Sequence, residues 1–406
     1  MDSKPILDNF SAPSRLKGGA KISSWGKIGR SSRIASIVSS TDENARLAEY
    51  WLGAHGSMPA NIFLDDGSVA RLDTFFRDYA PQVLGDVVAQ RYHNELPFLI
   101  KVLSINPEHG LSIQAHPDRE LARRLHAQDP TTYPDSRHKP EIGLPLTPVT
   151  LLYGFKELAH LRVMLDLFPE LRAIVEQCPL DNSADVFRLA FSRLFALGRA
   201  KTQEMVTALA SRIKSEGTRC PEAEVFSRLH IQYGDADEGL LALFLMNLVS
   251  VQPGQGIFIP ANLLHAYLDG DLVECMACSD NVLRAGLTPK VKDVATLLEM
   301  ITYSSIVPAP IVPTCDDEGF LVFATPAEEF EVGYVAQGSG TYRLTTERGA
   351  RVVMSLGRKS VVRSLATGRF VELFDGDAAL LPAQSGGFEL VCEDSSLYRV
   401  GVARIC

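Results

Sequence analysis

The segment Leu96-Pro-Phe-Leu-Ile-Lys-Val-Leu-Ser-Ile105 is followed by Asn106-Pro-Glu-His-Gly110 and then by Leu111-Ser-Ile-Gln-Ala-His116. The first run is apolar and rich in strand formers, the second is a cluster of turn residues, and the third alternates polar and apolar side chains. Read together they predict a β-hairpin. On the second strand Ser112, Gln114 and His116 share one face and Leu111, Ile113 and Ala115 the other, because strand side chains alternate with period two. The apolar face can pack on a core. The polar face then presents a hydroxyl, an amide oxygen and an imidazole in a row. Just beyond, Pro117 and the acids that follow mark the start of a helix reaching to His126.

Outward from this segment, residues 1–155 read as β structure with short helices. From Glu157 to about Val251 the apolar spacing turns helical, at Leu161, Met164, Leu165 and Phe168, then Val186, Leu189, Ala190 and Leu194, then Met205, Leu209 and Ile213. Leu240 to Leu248 also reads as an apolar helix. The stretch 156–251 is therefore expected to be a helical insertion of domain size. Strands return at Gly256–Pro260 and Asp271–Met276. A Pro-rich linker, Val307 to Pro313, leads to short strands between Gly turns over 314–406, the pattern of a small all-β unit. The expected fold class is mainly β with a helical insertion. Residues 1–155 and 252–305 would form one discontinuous β domain, and 314–406 a second.

The bulk composition excludes several functions. The chain has 406 residues, too many for one small core, with 40 Lys and Arg against 49 Asp and Glu, a net charge of −9. A mildly acidic chain lacks the dense basic face that nucleic acid requires. No apolar run is long enough to span a membrane, and Met1 to Leu16 carries no signal-peptide core. The seven cysteines are scattered, as reduced thiols in a cytoplasmic protein would be. Cys275-Met-Ala-Cys278 has no second CxxC and begins inside a strand, so it reads as two packed small side chains and not as a redox or zinc pair.

Two further segments carry candidate chemistry. His138-Lys-Pro-Glu141 puts a carboxylate after a Pro-fixed turn, and the run to Tyr267 puts His265 and Tyr267 on one strand face. Gln114, His116, Glu141 and His265 make a mixed nitrogen and oxygen donor set suited to a Lewis-acidic divalent ion. Taken singly, each residue would equally serve as a solvent-facing strand residue, a surface ion pair or a hydrogen-bonded strand end. Glu274 stands in the apolar strand Leu272-Val-Glu-Cys-Met276, where an unpaired acid is costly, so it should meet a cation or a donor. Asp280, Arg284 and Lys290 follow in a loop. The arginine offers a planar fork for a phosphate or an oxyanion and the lysine a point charge.

These stretches together resemble the type I phosphomannose isomerases. The resemblance lies in Trp25-Gly-Lys-Ile-Gly29, Tyr50-Trp-Leu-Gly-Ala-His55, Leu96 to Leu103, Leu111 to Asp118, His126 to Pro130 and Tyr133 to Glu141. It resumes over Ile259 to Tyr267 and Glu274 to Lys290. It implies two cupin-like β domains, only the first bearing metal, and an α-helical domain between its halves. It implies an enzyme with one Zn2+ per chain, acting on a phosphosugar and interconverting mannose 6-phosphate and fructose 6-phosphate; a cytoplasmic monomer is expected, although the sequence does not settle the oligomeric state. Carried over by position, the zinc ligands fall on Gln114, His116, Glu141 and His265 and the catalytic arginine on Arg284. The pocket would be lined by Lys101, Ser112, His138, Lys139, Tyr267, Glu274, Asp280 and Lys290. The general base stays open between Glu274 and the Lys139/Asp280 pair, with His138 a further alternative. Gly56 and Cys278 depart from common family residues without touching a ligand position. An iron-dependent oxygenase of the same architecture, with two His and one carboxylate, and a sugar-binding protein without catalysis are the competing expectations. The amide ligand and the nearby basic residues favour the isomerase.

Overall fold

A computed structural model describes residues 10–401, apart from 177, 179–181, 218–219, 336–338 and 394–396. The parts of the expected β domains at 1–9 and 402–406 lie outside the described residues. Among the described residues the first half contains nine strands: β1 (Ser14–Lys17), β2 (Gly19–Ile28), β3 (Arg46–Gly53), β4 (Asn61–Phe63), β5 (Val69–Arg71), β6 (Phe98–Ile105), β7 (Ile113–Ala115), β8 (Glu141–Pro145) and β9 (Val149–Phe155). Helices from Leu158–Leu167 to Gly239–Ala242 follow. Then come β10 (Met246–Val251), β11 (Ile257–Ile259), β12 (His265–Ala277) and β13 (Leu283–Gly286). Short strands occupy Thr314–Gly401. The fold is mainly β with a helical region, as expected.

β12 organises the first β unit. Its 13 residues begin beside β9 and β7, and after Gly270 they pair with β6 and β8. The register shifts between Tyr267 and Asp269. Gly270 has φ +107°, and a Cβ there would stand 2.7 Å from Pro148 O, so only glycine lets the strand turn this corner. A strand that changes partners at a bend joins two layers into one curved sheet. Strand alternation then gives that sheet two different faces. On β6, Leu99, Lys101 and Leu103 face the concave side, whereas Phe98, Ile100 and Val102 enter a core shared with the C-terminal strands. Apart from Lys101, β6 is thus largely apolar on both faces because both are covered.

Several sequence expectations are corrected. β6 and β7 do not form a hairpin: β6 pairs with β12, β2 and β3, and β7 with β12 and β13. The turn residues at 106–110 are real, but β12 lies between the two runs. Leu240 to Leu248 is not one helix. Residues 246–248 open β10, which pairs with β9, since an apolar run alone does not distinguish a buried strand from a helix. Leu189 is exposed on its helix, unlike Val186, Ala190 and Leu194. Arg284 lies on β13, not in a loop.

The C-terminal sheet also takes in strands from the other end of the chain. β1 pairs with Asp377–Leu381 on one side and with β4 on the other, and β4 pairs with β5. Lys17 and Arg15 both bind the buried Asp377 carboxylate, at 2.9 and 3.0 Å. Tyr50 closes the seam from β3: its buried hydroxyl accepts from Gly18 N (2.7 Å) and donates to Gly376 O (2.8 Å). Tyr50→Phe strands both backbone groups. It is expected to lower stability by about 1–3 kcal/mol, read as a lower urea midpoint with turnover unchanged; an unmoved midpoint would count against the seam.

A candidate metal centre and its basic pocket

Gln114 on β7 lies opposite His265 at the start of β12 and opposite Arg284 on β13. Glu141 opens β8, next to Met276 of β12. Ile113 and Ala115 are fully buried, so the apolar face of β7 packs on the helical region as its alternation demands. The opposite face turns Gln114 into the concave side of the sheet.

Three of these residues converge. His116, Glu141 and His265 offer ligand atoms all within 4.8 Å of one another, and all three are buried. His116 Nε2 stands 3.3 Å from Glu141 Oε1, and His265 Nε2 stands 3.4 Å from Oε2. The other nitrogen of each ring is committed to a backbone carbonyl. His116 Nδ1 meets Asn281 O at 2.7 Å, and His265 Nδ1 meets Leu263 O at 3.0 Å. A carbonyl only accepts, so each Nδ1 carries the proton and each Nε2 turns a lone pair toward Glu141. Burial and the Lys139 ammonium pull the His116 imidazole down to about 4, which keeps it neutral. Burial opposes charge on Glu141 as well, yet Lys139, 2.9 Å away, holds its carboxyl well below the usual range. Lone pairs thus face a carboxylate within a buried cluster, and His116 Nε2, His265 Nε2 and Glu141 Oε2 have no hydrogen-bond partner in the protein. Such a set fits a divalent cation, with each imidazole oriented by its carbonyl. Gln114 flanks it, its Oε1 accepting from Ser112 Oγ at 3.1 Å.

A cavity of about 310 Å³ opens beside this cluster and is lined by Gln114, Glu141, Lys139, Glu274 and Arg284, among others. Of the residues expected around it, Lys101, Ser112, Asp280 and Lys290 also line it. Tyr267 is buried just behind, its hydroxyl without a partner. Burial, reinforced by the Glu141 carboxylate, pushes the Glu274 carboxyl up to about 7; Lys101 Nζ lies 3.8 Å from it. Lys139 is also raised, but there the effect keeps the group charged. Burial disfavours its charge, but Glu141 and Glu274 overcome that and raise it, so it is a fixed cation. Asp280 is hydrogen-bonded to His55, which holds its carboxyl below the usual value, and their separation is 3.2 Å.

His138 is not brought to this cavity. Its Nε2 lies 2.8 Å from Glu329 and 3.1 Å from Arg119 Nε, in a separate cavity. Cys275 and Cys278 are free thiols; burial pushes Cys278 up to about 12.

Sequence reasoning assigned no role to Glu49, Trp51 or Lys21. Glu49 Oε2 accepts from Trp51 Nε1 at 2.6 Å and lies 3.6 Å from Lys101. Lys101 also sits 4.4 Å from the Trp51 ring centre. The signal was available: Glu49 is an acid inside the apolar run Leu47 to Leu52, the same criterion that singles out Glu274.

Residues 14–158 match the family model for phosphomannose isomerase type I, catalytic domain. A mannose-6-phosphate isomerase from Rattus norvegicus is 37% identical over 361 residues, 81% of this chain and 84% of the relative. Mannose-6-phosphate isomerase 2 from Arabidopsis thaliana is 32% identical over 449 residues, 99% of this chain and 98% of the relative. The chain belongs to the mannose-6-phosphate isomerase family. The fold agrees with it: a crystal structure of a phosphomannose isomerase mutant from Salmonella typhimurium superposes with a TM-score of 0.86 at 24% identity, covering 97% of this chain and 100% of the other. A mannose 6-phosphate isomerase bound with zinc and yttrium gives 0.85 at 24% identity, with the same coverage. Among the described residues, no helix of this member of the mannose-6-phosphate isomerase family is long and apolar enough to cross a membrane.

Proposed function

We propose that the protein interconverts D-mannose 6-phosphate and D-fructose 6-phosphate by moving a proton between C2 and C1 of the open-chain sugar through a cis-enediol. One zinc ion per chain would be held by Gln114, His116, Glu141 and His265. The observation that carries this reading is the convergence of unpartnered His116, His265 and Glu141 ligand atoms beside a cavity walled by lysine and arginine. Bound there, the ion would supply positive charge to the sugar oxygens.

The chain's own residues do the rest. A proton beside a carbonyl is weakly acidic and needs a base matched to neutral pH. Glu274, with its raised carboxyl at about 7, fits that task and is the base in this reading. Lys139 stays charged and Asp280 stays ionised well below neutrality, so neither matches it. His138, outside the cavity, takes no part. Arg284 and Lys290 have no carboxylate partner among the described residues. With Lys21 they form the most cationic wall of the cavity, and they receive the phosphate and the developing oxyanion. Cys178, Cys220, Cys275, Cys278 and Cys315 form no disulfide, which supports a reducing cytoplasm, and a monomer is the working form. The division into two β units and a helical unit belongs to the same reading, with β1, β4 and β5 assigned to the C-terminal one.

The test is incubation with mannose 6-phosphate while following fructose 6-phosphate. Conversion that a chelator abolishes and added zinc restores is expected; its absence in metal-loaded protein overturns the reading. Arg284→Ala is expected to lower kcat about a hundredfold or more with an unchanged circular-dichroism spectrum, and near-normal turnover would remove Arg284 from the chemistry.

A further inference from the structure

The helical region reaches back to the pocket through one carboxylate. Asp237, between the helices Pro221–Tyr233 and Gly239–Ala242, is buried. Its Oδ1 accepts from Gly239 N at 2.8 Å and from Leu287 N at 2.7 Å, and its Oδ2 accepts from Thr288 N at 3.1 Å. Two of these donors belong to the segment just after β13. The neighbouring Glu238 pairs with Lys292 at 2.5 Å, which fixes the far end of the same segment. The backbones themselves touch. A Cβ on Gly239 would stand 2.5 Å from Leu287 N, and one on Gly286 would stand 2.5 Å from Gly239 Cα. The Asp237 carboxylate sits at this backbone contact, bonded to both sides of it.

The clamped segment is conformationally unusual and chemically exposed to the pocket. Leu287 has φ +51°, a left-handed conformation that a side chain of this size holds only where its surroundings enforce it. Leu287, Thr288 and Lys290 line the cavity next to Arg284. Lys290 N donates to Thr288 Oγ1 at 3.1 Å, so the position of Thr288 is passed on to the lysine. A charged acceptor with short bonds to backbone donors is a strong fixing point.

We propose that Asp237 is a positioning residue for the phosphate end of the pocket: from the helical region it clamps Leu287 and Thr288, and so holds Lys290 toward the substrate's phosphate. This rests on the sugar-phosphate reading above. It also gives the helical insertion a task in substrate binding.

The experiment compares Asp237→Ala and Asp237→Asn with the wild-type, metal-loaded protein. The readouts are KM and kcat for mannose 6-phosphate, inorganic-phosphate binding by calorimetry, and amide hydrogen exchange over residues 286–290. The alanine variant is expected to raise KM and weaken phosphate binding about tenfold, as loss of a charged clamp should, while kcat changes by less than about threefold. Exchange at Leu287 and Thr288 should quicken. The asparagine variant keeps one carbonyl oxygen at equal volume and should fall between the two, so it decides the matter if alanine does not fold. Unchanged phosphate binding with faster loop exchange, or a loss confined to kcat, overturns the proposal. Calorimetry and exchange need no turnover, so the clamp can be judged even if the wild-type protein fails to convert mannose 6-phosphate.

Discussion

Replacing His265 by alanine is expected to empty the metal centre and lower turnover by about a thousandfold or more. His265 Nε2 and His116 Nε2 approach opposite oxygens of one carboxylate, at 3.4 and 3.3 Å. Removing one imidazole leaves an incomplete donor set, and a divalent ion typically supplies several kcal/mol of charge stabilisation in such a reaction, about a decade of rate for each 1.4 kcal/mol. Metal content by atomic absorption should fall with activity. Stability gives an independent reading, because an ion that binds only the folded state raises the melting temperature. A chelator should therefore lower Tm of the wild-type protein and leave the variant unmoved. A variant that retains stoichiometric metal and normal turnover would break the assignment.

The second large effect concerns Glu274→Gln. The substitution preserves volume and hydrogen-bonding capacity but removes the base. A positioned general base contributes roughly a hundredfold to ten-thousandfold, and kcat should fall within that range. The sign of the pH dependence follows from the raised carboxyl. Only the carboxylate accepts a proton, so wild-type activity should climb as pH rises through about 7 and fall away below it. In the glutamine variant that acidic limb should vanish from the residual rate. If the limb persists unchanged, the proton goes to another group.

The candidate metal centre was legible chiefly through the family resemblance: residue type and spacing alone left each residue an ordinary alternative role, and the structure brings His116, Glu141 and His265 together. The electrostatics were legible only in part: Glu274 was expected to meet a cation, and Lys101 lies 3.8 Å from it. Lys139 is one of the candidate bases in the sequence, but its actual neighbours are the carboxylates of Glu141 and Glu274, which hold its proton. His138 is adjacent to Lys139 in sequence but meets Glu329 in a separate cavity. The same limit governs the fold. Local pattern identified the runs around Ile100 and Ile113 as strands. That β12 would enter between them depends on a glycine corner 160 or so residues onward, and no local rule reports it. Gln114, Arg284 and His265 became neighbours by that long-range pairing alone.

The union of β1 with Asp377–Leu381 also bears on how the polypeptide is made. Asp377 follows Arg15 by 362 positions, so during synthesis the earliest strands leave the ribosome long before the partner that completes their sheet. At about 5–20 residues per second, they wait with an open edge for roughly 20 to 70 seconds. Nascent chains with such delayed pairing are exposed to sticking and to chaperones, and fragments cut short of Asp377 should be found in the insoluble fraction.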